Sequence, residues 1–156
     1  MITKRIPYHD LDGDPQEDDF YFSLNEAQFA RLNGEFPGGL EAYASRVAKD
    51  KNANEMFRII DTLVQAAYGE RIDNRFVKKA PNGQPLVDFF VNTEAYDHLM
   101  AELVSSEDNL INFLVGCLGT EAQARARENF ARIKAENAAK KATTEVAELP
   151  EATNPA

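Results

Sequence analysis

The sequence predicts a mainly α, α+β protein with three parts. These are an N-terminal β-hairpin over residues 4–24, a compact bundle of about five to six helices, and a disordered C-terminal tail. Three observations carry this prediction. Apolar residues alternate with polar ones on either side of an early run of turn formers. From residue 54 onward, apolar residues recur at helical spacing. Residues 142–156 hold too little apolar surface to offset the entropy of ordering them. Residues 1–118 therefore read as one domain, 119–141 as an Ala-rich C-terminal helix and 142–156 as tail.

In the hairpin, Ile6 and Tyr8 alternate on the first strand, and Phe20, Phe22 and Leu24 on the return. Asp10-Leu11-Asp12-Gly13-Asp14-Pro15 between them is dense in turn formers. Pro7 has no N–H to give, so the first strand should lie at a sheet edge. Ser23 and Glu26 have capping-box spacing and predict a helix start, with Asn33-Gly34 as its end. A short helix over about 40–49 follows the break Pro37-Gly38-Gly39.

The clearest helix runs from about Asn54 to Tyr68, with Met56, Ile59, Ile60, Leu63, Val64 and Ala67 on one face and Gly69 placed as a left-handed cap. Residues 70–85 are mixed, with Arg75–Lys78 extended and Pro81-Asn82-Gly83 a turn. Leu86–Phe90 fits one helical turn. Thr93 caps a helix to about Val104, and Ser106 caps the next. The wide apolar face of that second helix (Leu110, Ile111, Phe113, Leu114, Cys117) predicts a central position. Thr120 and Gln123 pair as a further capping box, opening an Ala-rich helix to Lys141 whose bulky apolar residues are Phe130 and Ile133.

A net charge of −9 and a pI near 4.7 argue against nucleic acid as a partner, because phosphate binding needs cationic surface. Arg71, Arg75, Lys78 and Lys79 are interleaved with Glu70 and Asp73 and read as a solvated loop or strand. No apolar run approaches the ~20 residues of a membrane span, and no apolar core follows Met1–Pro7 as in a signal peptide. A cytosolic protein is expected. Its lone cysteine, Cys117, sits in an apolar run and reads as a buried, inert thiol.

Chemistry-bearing residues are few. Asp10, Asp12 and Asp14 have the spacing of an EF-hand start, but Pro15 stands where that loop needs Gly, and Tyr21 where it needs Glu. Glu94, His98 and Glu102 stand four apart on one helix face. That face is opposite the apolar stripe of Tyr96, Leu99 and Leu103, so it should be solvated and not ligating. The only histidines are His9 and His98, and neither accompanies a nucleophile motif. No catalytic, cofactor-binding or metal-ligating residue is assigned, no cofactor is expected, and an enzyme is not.

Several segments together resemble the siphophage tail assembly chaperones. Phe57–Arg71 resembles that family's helix ending in a Tyr-Gly turn. Phe76-Val77-Lys78 is similar to its Phe-Val/Ile-Lys segment, Thr93–Leu103 to its Thr-x-Ala-Tyr helix, and Asp108–Gly116 to its Phe-containing helix. Ile6–Gly13 and Phe20–Leu24 resemble its opening hairpin. The similarity covers residues 4–118, and the Ala-rich stretch after Gly119 lies outside it.

The resemblance implies a non-enzymatic protein that coats the apolar, helical tape measure protein and helps recruit tail tube subunits. It implies work in the host bacterial cytoplasm and absence from the mature virion. A longer form of the chain made by programmed frameshift is also implied, and Lys140-Lys141 is the position that fits an A-rich slippery site. Met56 and Met100 are adaptable enough for a contact surface, although their place on apolar stripes favours the core. The competing readings are another phage morphogenesis factor, such as a head–tail completion or scaffold protein, and a small metal-dependent enzyme.

Overall fold

The computed structural model describes residues 1–147, with side chains through Thr143. Among these residues there are seven helices and one four-stranded antiparallel sheet in the order β1-β2-β3-β4. The hairpin is β1 (Ile2–His9) and β2 (Pro15–Phe22), two residues earlier at each end than the sequence predicts. It pairs in unbroken register from Ile2↔Phe22 to His9↔Pro15. Pro7 lies on β1, which is the sheet edge, as its missing N–H requires.

The sheet has one strand that the sequence does not show, β3 (Tyr68–Ile72), and a second, β4 (Arg75–Val77), where the sequence places an extended segment. β3 pairs with β2 through only Tyr21↔Gly69 and Phe22↔Tyr68, and β4 closes the edge. No loop separates β3 from the preceding helix, α3 (Ala53–Ala67). Tyr68, at the junction, is already extended at φ −60° and ψ 143°.

Gly69 is therefore not a left-handed cap; it is a strand residue chosen for space. A Cβ there would stand 2.4 Å from Phe76 Cζ and 2.7 Å from the Val77 carbonyl oxygen. Single-sequence periodicity cannot show this, because the crowding comes from β4.

Ser23 does not cap a helix either. Its N–H donates to the Ala67 carbonyl at 2.8 Å, and the Leu24 N–H donates to the Cys117 carbonyl at 2.8 Å. The chain leaving β2 thus satisfies carbonyls at the ends of two helices that would otherwise be orphaned. α1 (Glu26–Gly34) begins two residues later. Asn25 Oδ1 accepts from the Gln28 N–H at 2.8 Å, and Gln28 Oε1 accepts from the Asn25 N–H at 3.1 Å.

α2 (Leu40–Lys49) and α4 (Val87–Phe90) fall where the sequence places them. So do α5 (Glu94–Ser105), capped by Thr93, and α6 (Glu107–Cys117), capped by Ser106. α6 is central, as its wide apolar face requires: it packs on α3, α5, β1 and the last helix, α7. Gly116 on α6 lets β1 approach, since a Cβ there would meet Ile2 Cδ1 at 2.7 Å.

α7 spans Thr120–Ala147. Thr120 lies inside it, so the expected capping box does not form; Gln123 instead donates its side-chain N–H to the Leu118 carbonyl at 2.9 Å. The helix also continues through residues 142–147, where the sequence predicts tail. Once the preceding turns are formed, each further residue adds one backbone bond without a new nucleation cost, and the Thr143 hydroxyl donates to the Ala139 carbonyl at 3.0 Å. The rest of the expected tail, 148–156, lies outside the described residues.

The core centres on rings. Phe22 is fully buried and meets Phe113, Tyr68 and Phe90 at centroid distances of 5.0, 5.7 and 5.8 Å. Tyr68 stacks on Phe90 at 4.4 Å. Ile60 and Val64 from α3 and Leu99 from α5 are fully buried in the same core.

Candidate functional site

On the opposite side of α3 the packing is looser. α2, α3, α5 and α6 form the walls of an apolar groove, and α7 lies across its mouth. Its floor is formed by buried residues such as Ile59, Leu63, Leu103 and Leu114, and its walls include Ala44 and Ala48 on α2, Met56 on α3, Val104 on α5 and Ile111 on α6. α7 covers the groove with Phe130 and Ile133, three residues apart and so on one helix face. A cavity of about 300 Å³ remains beneath them. A second, more open cavity of about 330 Å³ lies under the first half of α7, between Phe29, Leu118 and Ala126. α7 therefore leaves open space along the surface it covers.

Charge surrounds the groove in a pattern. Glu41 and Glu107 line the groove, Asp108 follows on α6, and Glu26 on α1 lines the second cavity; α7 presents basic residues to Glu26, Glu41 and Asp108. Arg125 meets Glu26 at 2.7 Å, Lys134 comes within 3.8 Å of Asp108, and Arg132 acts on Glu41. Partial burial holds the Glu41 carboxyl above its ordinary range, and the Arg132 charge opposes that rise. Asn137 on α7 donates to Ser45 on α2 at 2.7 Å.

The model of one protein family, described as phage tail assembly chaperone, matches residues 1–155. The chain belongs to that family. The match includes α7, which the sequence resemblance left outside. Neither the curated proteins nor the solved structures yield a match.

The other residues singled out in this chaperone's sequence have structural posts. Asp10 accepts from the Asp12 and Asp14 N–H groups and from Gln16 Nε2, at 2.9–3.0 Å, so its carboxylate closes the hairpin turn on itself. The Gln16 bond, then the backbone bonds, hold that carboxyl below its usual range.

Glu94, His98 and Glu102 lie on a face of α5 that is open to solvent, as the sequence predicts, and Glu94 and Glu102 also reach side chains of β1. Glu94 sits 3.1 Å from both His9 Nδ1 and His98 Nε2, and Glu102 pairs with Lys4. Sequence spacing shows their common face but not that a strand comes within reach of it. Among the described residues, no group of three or more His, Cys, Asp or Glu is placed to hold a metal ion.

Lys78 departs most from its expected solvated setting. Its ammonium is half-buried and donates to the Ala66 carbonyl and, at 3.2 Å, to Gln28 Oε1. α3 has no basic residue in its last turn, and Lys78 from beyond β4 supplies the cation that a helix C-terminus favours. Burial lowers its pKa from the ordinary lysine value. Arg71, Arg75 and Lys79 are exposed.

Cys117 is fully buried, and desolvation pushes its thiol up to about 12, so it is not a nucleophile at neutral pH. The methionines divide: Met100 is core, while Met56 is half-buried and lines the groove. No helix among the described residues is long and apolar enough to cross a membrane.

Proposed function

We propose that this chaperone binds the tape measure protein of its own phage in the host bacterial cytoplasm, keeps it soluble and helps recruit tail tube subunits without entering the mature virion. The observation that carries this reading is the apolar groove between α2, α3, α5 and α6, in a chain of the tail assembly chaperone family. A long helical client with an apolar stripe aggregates unless another surface covers that stripe. Laying it in a groove is the usual solution for helix recognition. Each Å² of apolar surface removed from water contributes roughly 25 cal/mol before association costs are subtracted. Met56 gives the groove a side chain that adapts to different apolar partners.

A longer, frameshifted form is proposed as a second partner. Lys140-Lys141 lies inside α7, so a frameshift there would change the helix and not only a tail. Sequencing the gene tests this part, since codons unable to slip at that position remove it.

The main test is co-expression. The tape measure protein alone should aggregate, and adding this chain, with any longer form, should move it into a soluble complex. A client that stays insoluble with both forms present, or recovery of this chain in purified virions, overturns the proposal.

A further inference from the structure

Among the described helices, α7 has the smallest share of buried side chains for its length. Of its side chains from Thr120 to Thr143, Ala126 alone is buried, and Ala122, Gln123, Phe130 and Ile133 are half-buried. From Lys134 onward every described side chain is exposed. Its ion pairs to Glu26 and Asp108 are between groups that are each about two-thirds or more exposed, the kind that adds little to stability. Cavities of about 300 and 330 Å³ remain along its underside.

What α7 does match is the groove's character. It sets an apolar strip on an apolar floor, turns Arg132 and Lys134 toward Glu41 and Asp108 beside the groove, and turns Arg125 toward Glu26 at the second cavity.

We infer that α7 is a resident helix occupying the client groove, and that the segment which displaces it is an amphipathic helix whose apolar stripe is flanked by basic side chains. This rests on the chaperone reading above and adds the client's chemistry and the means of exchange. A client helix with Leu, Phe or Met at successive i, i+3, i+4 and i+7 positions fills the cavity that Phe130 and Ile133 leave empty, and so out-competes α7 through packing. Basic flanks reproduce the pairing that α7 now provides, and acidic flanks face Glu41 and Asp108 with like charge. Until a client arrives, α7 keeps the floor of the groove covered.

The test uses the full chain and two synthetic 21-residue helical peptides. Both carry the same Leu/Phe stripe; one is flanked by Lys and Arg, the other by Glu. Affinity is read by fluorescence anisotropy and α7 docking by amide hydrogen exchange. The basic peptide should bind at least about tenfold tighter than the acidic one, a discrimination of ~1.4 kcal/mol. Its binding should raise exchange across residues 126–140 and lower it in α2 and α6.

The double substitution Phe130→Ser/Ile133→Ser should tighten binding of the basic peptide by about tenfold if the groove is open roughly one-tenth of the time. Arg125→Glu/Lys134→Glu, which alters only exposed side chains, should tighten it too by repelling α7 from Glu26 and Asp108.

Equal affinity for the two peptides, or binding that leaves α7 exchange unchanged, overturns the inference. Displacement of α7 by the basic peptide supports it even where the tape measure protein stays insoluble, a result that removes only the client named above. A tape measure protein solubilised with α7 exchange unchanged removes the resident helix and leaves the chaperone reading in place.

Discussion

Phe22 and Phe130 are the same side chain in two kinds of surroundings. Phe22 has no exposed surface and touches three other rings, while Phe130 is half-buried above a cavity of about 300 Å³. The sheet side of α3 holds a cluster of buried rings, and the α2–α6 side borders a cavity. Both faces are apolar, so composition does not separate them. The first arrangement makes a stable fold, because each ring is held by several others and none can leave alone. The second makes a surface that can change partners, because little is lost when its cover departs.

The strongest way to break this comparison is Phe22→Ala. Truncating a fully buried ring in a close-packed cluster should cost about 3–5 kcal/mol in urea unfolding. A loss under 1 kcal/mol would mean that the ring cluster is no tighter than the groove. Gly69→Ala should come next, at about 1–3 kcal/mol, since the added methyl must displace Phe76 and the Val77 carbonyl. A neutral result there would show that β4 can move away freely.

Phe130→Ala sharpens the other side. It should cost only about 1 kcal/mol, because a half-buried ring beside a void gives up little apolar contact. Hydrogen exchange should rise in α7 and stay unchanged in α3 and α6. Protection lost throughout the molecule would make α7 part of the core.

The smallest effect concerns Glu94. Hydrogen bonds from His9, and then His98, hold its carboxyl below the ordinary range. A lowered carboxylate contributes stability above its unfolded value and loses it as pH falls through the folded one. The native chain should therefore weaken below about pH 4. In Glu94→Gln that part of the acid limb should flatten, with the thermal midpoint at pH 7 lower by about 2 °C or less, as for exposed pairs. Identical acid limbs for the two proteins would show that the His9–Glu94–His98 contact does not hold the hairpin to α5.

Much of this molecule is written locally. The hairpin, the Thr93 and Ser106 caps, the stripe of α3 and the central place of α6 follow from turn chemistry, side-chain oxygens and periodicity within some ten residues. The order of the segments was also enough to point to the family. Tertiary structure alone decided the rest. Gly69 reads as a cap until β4 is set against it, Ser23 as a cap until Ala67 and Cys117 are brought beside it, and Lys78 as solvated until the end of α3 is placed over it. The groove was invisible for the same reason. Ala44, Met56, Val104 and Ile111 lie on four different helices, and what unites them is a gap, whose size depends on how closely those helices and α7 approach one another. Sequence determines which face of each helix is apolar; how completely neighbouring helices fill the space between those faces is a property of their packing.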